Sequence, residues 1–163
     1  MTAPLTPDDL EAYLIDNDIP AKVVRLDAPT PTVEAAAEVI GVHPDQIVKS
    51  LLFLIEEHPV LVIASGLGRI DRRLLAKHFG VNRRKTHFAN AETVLALTGF
   101  PVGAVPPIGH RTDLDVLVDP AVVKQETVFG GGGSDMALLR LDPQLIRKHT
   151  RSEVVSLQKP TQE

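Results

Sequence analysis

The feature that most constrains this chain is the run Gln46-Ile47-Val48-Lys49-Ser50-Leu51-Leu52-Phe53-Leu54-Ile55. A run this short and this rich in Ile, Val, Leu and Phe reads as a strand buried on both of its faces. Lys49 interrupts it. Lysine is seldom buried without a partner, so its presence needs an explanation. Two readings are open at this point. Lys49 either snorkels to water from near the strand's start, or it stands at the floor of a cleft to meet an anion or a carbonyl oxygen.

A chain of 163 residues is one ordinary domain, long enough to bury a real core. Its mean hydropathy of +0.06 fits a soluble globular protein. The absence of cysteine excludes disulfides, thiolate metal sites and cysteine nucleophiles. Met1 to Asp8 lacks a basic region followed by an apolar stretch, and no apolar run approaches a membrane span. A cytoplasmic location without membrane partners is therefore expected.

The formal net charge of -4 argues against a protein that coats nucleic acid. The distribution is uneven, however. Arg69, Arg72, Arg73, Lys77, Arg83, Arg84 and Lys85 hold seven of the 17 basic residues, against the single acid Asp71. Such a segment is either a solvated helix face with its loop or a contact for one phosphate-rich ligand end.

Taken in order, a helix is expected over residues 7 to 17, with Pro7, Asp8 and Asp9 in its first turn. Ala21 to Leu26 reads as a strand. Thr30 or Thr32 caps a helix that runs to Ile40 and stops at Gly41. Ile47 to Ile55 and Val60 to Ser65 form a hairpin across Glu56-Glu57-His58-Pro59. Asp71 caps a helix ended by Gly80, Lys85 to Phe88 is a short strand, and Asn90 caps a helix ended by Gly99. Phe100 to His110, with three prolines and two glycines, is irregular. Asp115 to Val118, Glu126 to Phe129 and Ala137 to Leu141 are strands, the last two joined by Gly130 to Gly133 as a turn. A short helix follows Asp142 and Pro143, Glu153 to Leu157 is a closing strand, and the tail from Gln158 is expected to fray. The pattern implies a mixed α/β domain with a largely antiparallel, barrel-like sheet flanked by helices.

Several chemistries are excluded. Ser65 lacks the first glycine of a nucleophile elbow, Gly66 and Gly68 open no dinucleotide loop, and no phosphate-loop lysine is present. The six histidines have no zinc-ligand spacing, and no cofactor is indicated. Asp113, Asp115 and Asp119 are more simply solvated acids than a divalent-ion site. What remains is Lys49 together with the Gly103 to Gly109 loop. Successive N–H groups of such a loop converge on an oxyanion, or the loop is only a rigid proline turn.

These segments together resemble the YbaK/aminoacyl-tRNA deacylase family, relatives of the editing insertion of bacterial prolyl-tRNA synthetases. The resemblance rests on Thr32 to Gly41, Gln46 to Phe53, Thr98-Gly99-Phe100, Gly103 to Gly109, Val116 to Asp119 and Leu139-Arg140-Leu141. It covers about residues 20 to 157 of a single domain spanning 1 to 163. It implies a hydrolase that removes a small non-cognate amino acid from the terminal ribose of a tRNA, with tRNA(Pro) the expected carrier. It places Lys49 and Gly103 in the chemistry. Thr32, Ser50, Ala104, Val105, Pro106, Pro107, Gly131 and Gly132 would hold the substrate. Arg83, Arg84 and Lys85 are candidates for contact with the acceptor end, and a synthetase is a further partner. Some relatives carry an acid after the glycine-rich turn. Asp135 is the nearest here, which leaves cysteine, alanine, serine and threonine open as the amino acid. A non-catalytic module that binds a nucleotide, a tRNA end or a synthetase is the alternative reading.

Overall fold

The computed structural model describes residues 3–159. Met1, Thr2 and residues 160–163, which the single-domain reading includes, lie outside the described residues. The helices begin and end where cap chemistry places them. Thr6 Oγ1 accepts the N–H of Asp9, and the Asp9 carboxylate accepts the N–H of Thr6 at 2.8 Å, opening α1 (Pro7–Asp16). Thr32, rather than Thr30, caps α2 (Val33–Ile40). Asp71 caps α3 (Arg72–Phe79) and Asn90 caps α4 (Ala91–Thr98). Gly41, Gly80 and Gly99 close these three in the left-handed conformation. A one-turn helix not expected from the sequence, α5 (Pro120–Val123), is capped by Asp119, and α6 (Gln144–His149) follows later.

The strands form two sheets. In the first, β1 (Lys22–Arg25), β7 (Ala137–Leu141) and β6 (Val128–Gly131) lie antiparallel in that spatial order. The second has the order β4 (Thr86–Phe88), β2 (Val48–Ile55), β3 (His58–Ser65), β5 (Asp115–Val118) and β8 (Arg151–Val154). Its β3–β5 and β5–β8 pairs are parallel, while the other strand pairs of both sheets are antiparallel. The largely antiparallel expectation therefore holds, but the sheet does not close into a barrel. Among the described residues a single bridge, Ile47 to Phe129, joins the two sheets.

Alternation along the strands divides the core into three. Leu61, Ile63, Val48, Leu52, Leu139 and Leu141 face the space between the sheets, with Leu10, Val94 and Ile146 from three helices. Val60, Val62, Phe53 and Ile55 point the other way and pack beneath Leu75 of α3. Leu138 and Phe129 meet Ala36 and Ala37 of α2 on the outer side of the smaller sheet. The central run is thus buried on both faces, as its composition requires.

The bounds of three segments shift. Gly130 and Gly131 are the last residues of β6, so the expected glycine turn begins only after them. The closing strand is Arg151–Val154 instead of Glu153 to Leu157. Gln158 is tied down: its Oε1 accepts the N–H of Ser65 at 3.2 Å and its Nε2 donates to the Ser65 carbonyl at 3.1 Å. The tail therefore does not fray there.

The β2–β3 turn is also tighter than expected, because His58 and Pro59 belong to β3. Pro59 opposes Leu54, a residue whose N–H and C=O face β4, so this pair exchanges no bonds and the missing donor costs nothing. Only Glu56 and Glu57 remain in the turn, with φ of 50° and 71°. Two-residue hairpins favour positive φ at both positions, which Asn and Gly adopt far more readily than Glu. The double variant Glu56→Asn, Glu57→Gly is expected to raise stability by about 1 kcal/mol. An unchanged or lower denaturant midpoint would contradict this account of the turn.

Candidate active cleft

The cleft exists because β2 is paired along the whole of one side and only partly along the other. β3 covers residues Val48 to Ile55, whereas β4 reaches only Phe53 to Ile55. On the β4 side the Leu52 carbonyl accepts the N–H of Ala89. Alternation turns the N–H and C=O of Ser50 to that same edge, where no strand pairs with residues 49–51 among the described residues. A cleft of about 210 Å³ opens there. Lys49 and Ser50 line it from β2, Thr32, Val33 and Ala36 from α2 and its cap, and Gly103 and Val105 from the irregular loop, with Gly131 and Leu138 beneath. Phe88 and Val102 flank it while remaining 59% and 61% exposed.

Lys49 is half-buried and pairs with Ala64 in the sheet. Burial pushes its pKa down, and repulsion from the Arg69 guanidinium pushes it further in the same direction. Among the described residues no carboxylate lies within ion-pair distance of it. The lysine thus lines a cleft as an uncompensated cation. The hydroxyl oxygen of the next residue, Ser50, which strand alternation turns to the opposite face, is buried and has no hydrogen-bond partner among the described residues. The hydroxyl of Thr32 is already engaged, accepting the N–H of Ala35 at 3.0 Å. Among the described residues no Asp, Glu or His lines the cleft. Ser50 therefore has no adjacent base to activate it as a nucleophile.

The loop opposite begins with a tight turn. The Ala104 N–H donates to the Pro101 carbonyl at 3.0 Å, and Gly103 has φ of 87°. That is the third position of a type II turn, which requires positive φ. A Cβ added at Gly103 would meet nothing within 4 Å, so backbone conformation, and not room, calls for glycine here. Among the described residues the N–H groups of Gly103 and Val105 have no partner, although Val105 is buried. An unpaired donor on a buried residue is costly unless something in the adjoining cleft accepts from it.

The glycine run serves this loop. A Cβ on Gly131 would lie 2.4 Å from the Val105 carbonyl oxygen, and one on Gly130 would lie 2.8 Å from Pro107 Cδ. Gly133 donates its N–H to the Ala104 carbonyl at 3.0 Å. Close approach of the loop, and not a turn, accounts for Gly130 and Gly131. Ala104, Pro106, Pro107 and Gly132, all expected in the substrate pocket, do not line it; they lie in the loop and the glycine run that close its wall.

His110 Nε2 donates to the Pro106 carbonyl at 2.6 Å and holds the far end of the loop. Burial pushes the pKa of His110 down, while this hydrogen bond pushes it partly back up. Sequence reasoning weighed the histidines only as zinc ligands and missed this one, along with Phe88 and Val102. The basic segment also divides. Arg72 turns inward, donating to Thr86 Oγ1 and to the Thr86 carbonyl, and so ties α3 to β4. Arg83, Arg84 and Lys85 are exposed in the turn before β4, with no ion pair among the described residues. The three acids weighed as an ion site are each engaged by protein groups. Asp113 and Asp115 meet Arg151, and Asp119 accepts the N–H groups of Ala121, Leu157 and Gln158.

Comparison with known proteins gives this arrangement a context. A family model described as an aminoacyl-tRNA editing domain matches residues 27–148. The protein YwhH of Bacillus subtilis (strain 168), itself uncharacterized, is 33% identical over 133 residues, covering 81% of this chain and 83% of the relative. The proline–tRNA ligase of Maridesulfovibrio salexigens is 36% identical over 110 residues, 68% of this chain but only 19% of the ligase. The chain thus spans less than a fifth of that enzyme's length. A solved structure of a candidate trans-editing enzyme for prolyl-tRNA synthetase superposes with a TM-score of 0.87 at 32% identity, covering 98% of this chain and all of the other.

Two variants test the wall of the cleft. Gly131→Ala is expected to push the loop off β6, because a carbonyl oxygen at 2.4 Å cannot yield as a flexible side chain does. A loss of about 1–3 kcal/mol of stability is expected. Wild-type melting of this variant would refute the packing account. For His110, the unfolded chain takes up a proton first as pH falls through the ordinary value of 6.5, since the folded chain holds the ring neutral. Its contribution to stability is therefore complete above that value and is lost as pH falls below it. His110→Phe, lacking the titrating ring, should show a shallower loss of melting temperature between about pH 7 and about pH 5. Parallel curves for the two proteins would show that His110 is not the group responsible.

Proposed function

Since the chain belongs to the aminoacyl-tRNA editing domain family, we propose that it is a trans-editing hydrolase acting on a mischarged aminoacyl-tRNA. One observation carries this reading. The Lys49 ammonium, the Ser50 hydroxyl and the N–H groups of Gly103 and Val105 belong to residues lining one small cleft, and none has a protein partner among the described residues. Donors without acceptors suit a ligand that brings oxygen atoms and negative charge. A volume of about 210 Å³ lies below the range of roughly 300–1,000 Å³ usual for drug-sized ligands, which favours a small aminoacyl group. Val33, Ala36, Val94 and Leu138 give its wall an apolar lining.

In this mechanism the acceptor end enters past Phe88, with Arg83, Arg84 and Lys85 beside its phosphates. Lys49 orients the terminal nucleotide through its phosphate or ribose oxygens. Water attacks the ester carbonyl carbon, and the carbonyl electron pair moves onto oxygen, held by the N–H groups of Gly103 and Val105. Collapse breaks the bond to the ribose oxygen, which takes up a proton as the water gives one up. The adjoining ribose hydroxyl mediates that transfer, since among the described residues no carboxylate or imidazole lines the cleft. Editing of this kind supplies discrimination that binding alone does not reach for small side chains. The likeness to a proline–tRNA ligase and to a candidate trans-editing enzyme supports tRNA(Pro) as the carrier and a synthetase as a partner.

The test uses Lys49. In Lys49→Met an uncompensated cation is replaced by an apolar chain of similar length, so the melting temperature should stay equal or rise. Single-turnover release of alanine, serine, threonine or cysteine from mischarged tRNA should fall at least about 10²-fold, the scale of losing one such donor. Lys49→Arg should restore little, because a planar guanidinium does not occupy the place of an ammonium. Retained hydrolysis in a folded Lys49→Met protein would remove the lysine from the chemistry. Tight tRNA binding by the wild type without release of any amino acid would favour a binding module instead.

A further inference from the structure

Large apolar side chains left exposed beside a cleft call for an explanation, and Phe88 offers the clearest one. Its ring stacks on Phe53 at a centroid distance of 4.5 Å and an interplanar angle of 29°. Phe53 is fully buried, whereas Phe88 remains 59% exposed. One face of the Phe88 ring is therefore backed by the core, and the ring still offers a large open surface beside the cleft it lines. The backing holds the ring in place, so that binding costs little side-chain entropy. Phe53 and Lys49 lie on the same side of β2, four residues apart. That places the ring about 13 Å along the strand from the backbone of the lysine, whose long side chain can shorten the gap.

Basic residues stand at the other end of β4, with Glu57 near His87 between them and the ring. Arg83, Arg84 and Lys85 immediately precede β4, are exposed, and make no ion pair among the described residues. An aromatic platform beside unpaired cations is the arrangement that binds single-stranded nucleic acid, the base on the ring and the phosphates on the cations. A protein partner's apolar anchor would need no such cations.

We propose that Phe88 is the stacking platform for an unpaired nucleobase at the 3′ end of the RNA, fixing how far the end enters the cleft. The inference deepens the editing reading and rests on it for the identity of the RNA. It is tested with the full chain and an uncharged RNA hairpin whose single-stranded 3′ end carries 2-aminopurine as its last base. The expected result is quenching of the fluorescence on binding. Phe88→Leu should weaken binding roughly 5- to 150-fold and remove the quenching, while Phe88→Tyr should preserve both. With mischarged tRNA, Phe88→Leu should raise KM more than it lowers the single-turnover rate at saturation. Equal affinity and equal quenching in Phe88→Leu, or no quenching in the wild type, would overturn the proposal. Because the hairpin carries no ester, quenching without amino-acid release from charged tRNA would leave the platform standing and refute only the hydrolase.

Discussion

The cleft depends on a contact between two stretches of backbone. The loop after α4 lies so close to the end of β6 that a methyl group on Gly131 would stand 2.4 Å from the Val105 carbonyl. The Gly133 N–H anchors the Ala104 carbonyl across the same contact, and His110 holds the Pro106 carbonyl farther on. With the loop held at three points, the residues Gly103 and Val105 stay at the cleft wall. In the proposed mechanism such held donors would need no reorganisation at the moment of reaction. From β2 the wall receives Lys49 and Ser50, and the remaining lining side chains are largely apolar.

Such a cleft requires an incomplete sheet edge. Had β4 continued along β2, the backbone groups of Ser50 would be spent on strand pairing. Instead β4 ends at Phe88, and the polypeptide leaves the sheet as α4 begins. The termination of one three-residue strand thus opens the edge and leaves an aromatic ring beside it. The cation next to it costs folding free energy: burial and Arg69 both disfavour the Lys49 ammonium. A cost of this kind is expected where a site is organised for a ligand and not for stability.

The basic segment shows how charge counted along a chain becomes something else in space. Seven cations in a short stretch read as one patch. Arg72, however, serves the fold by bonding to Thr86, and Arg69 serves the electrostatics of Lys49. Arg83, Arg84 and Lys85 are exposed in the turn that leads into β4 and make no ion pair among the described residues.

The sequence alone determined the elements whose signals are local. Thr32, Asp71 and Asn90 are caps because their side-chain oxygens reach N–H groups two or three residues on, and Gly41, Gly80 and Gly99 are stops because left-handed backbone disfavours a side chain. The central strand, its lysine and the irregular loop were legible for the same reason. Tertiary structure decided the rest. Nothing local distinguishes a glycine that bends the chain from one that lets another backbone approach, so the role of Gly130 and Gly131 appears only with Pro107 and Val105 beside them. The parallel pairing of β5 with β3 and β8, the open edge of β2 and the exposure of Phe88 each depend on residues far apart in the chain. Contacts of that range leave no periodicity to read, because their partners are set by packing and not by spacing.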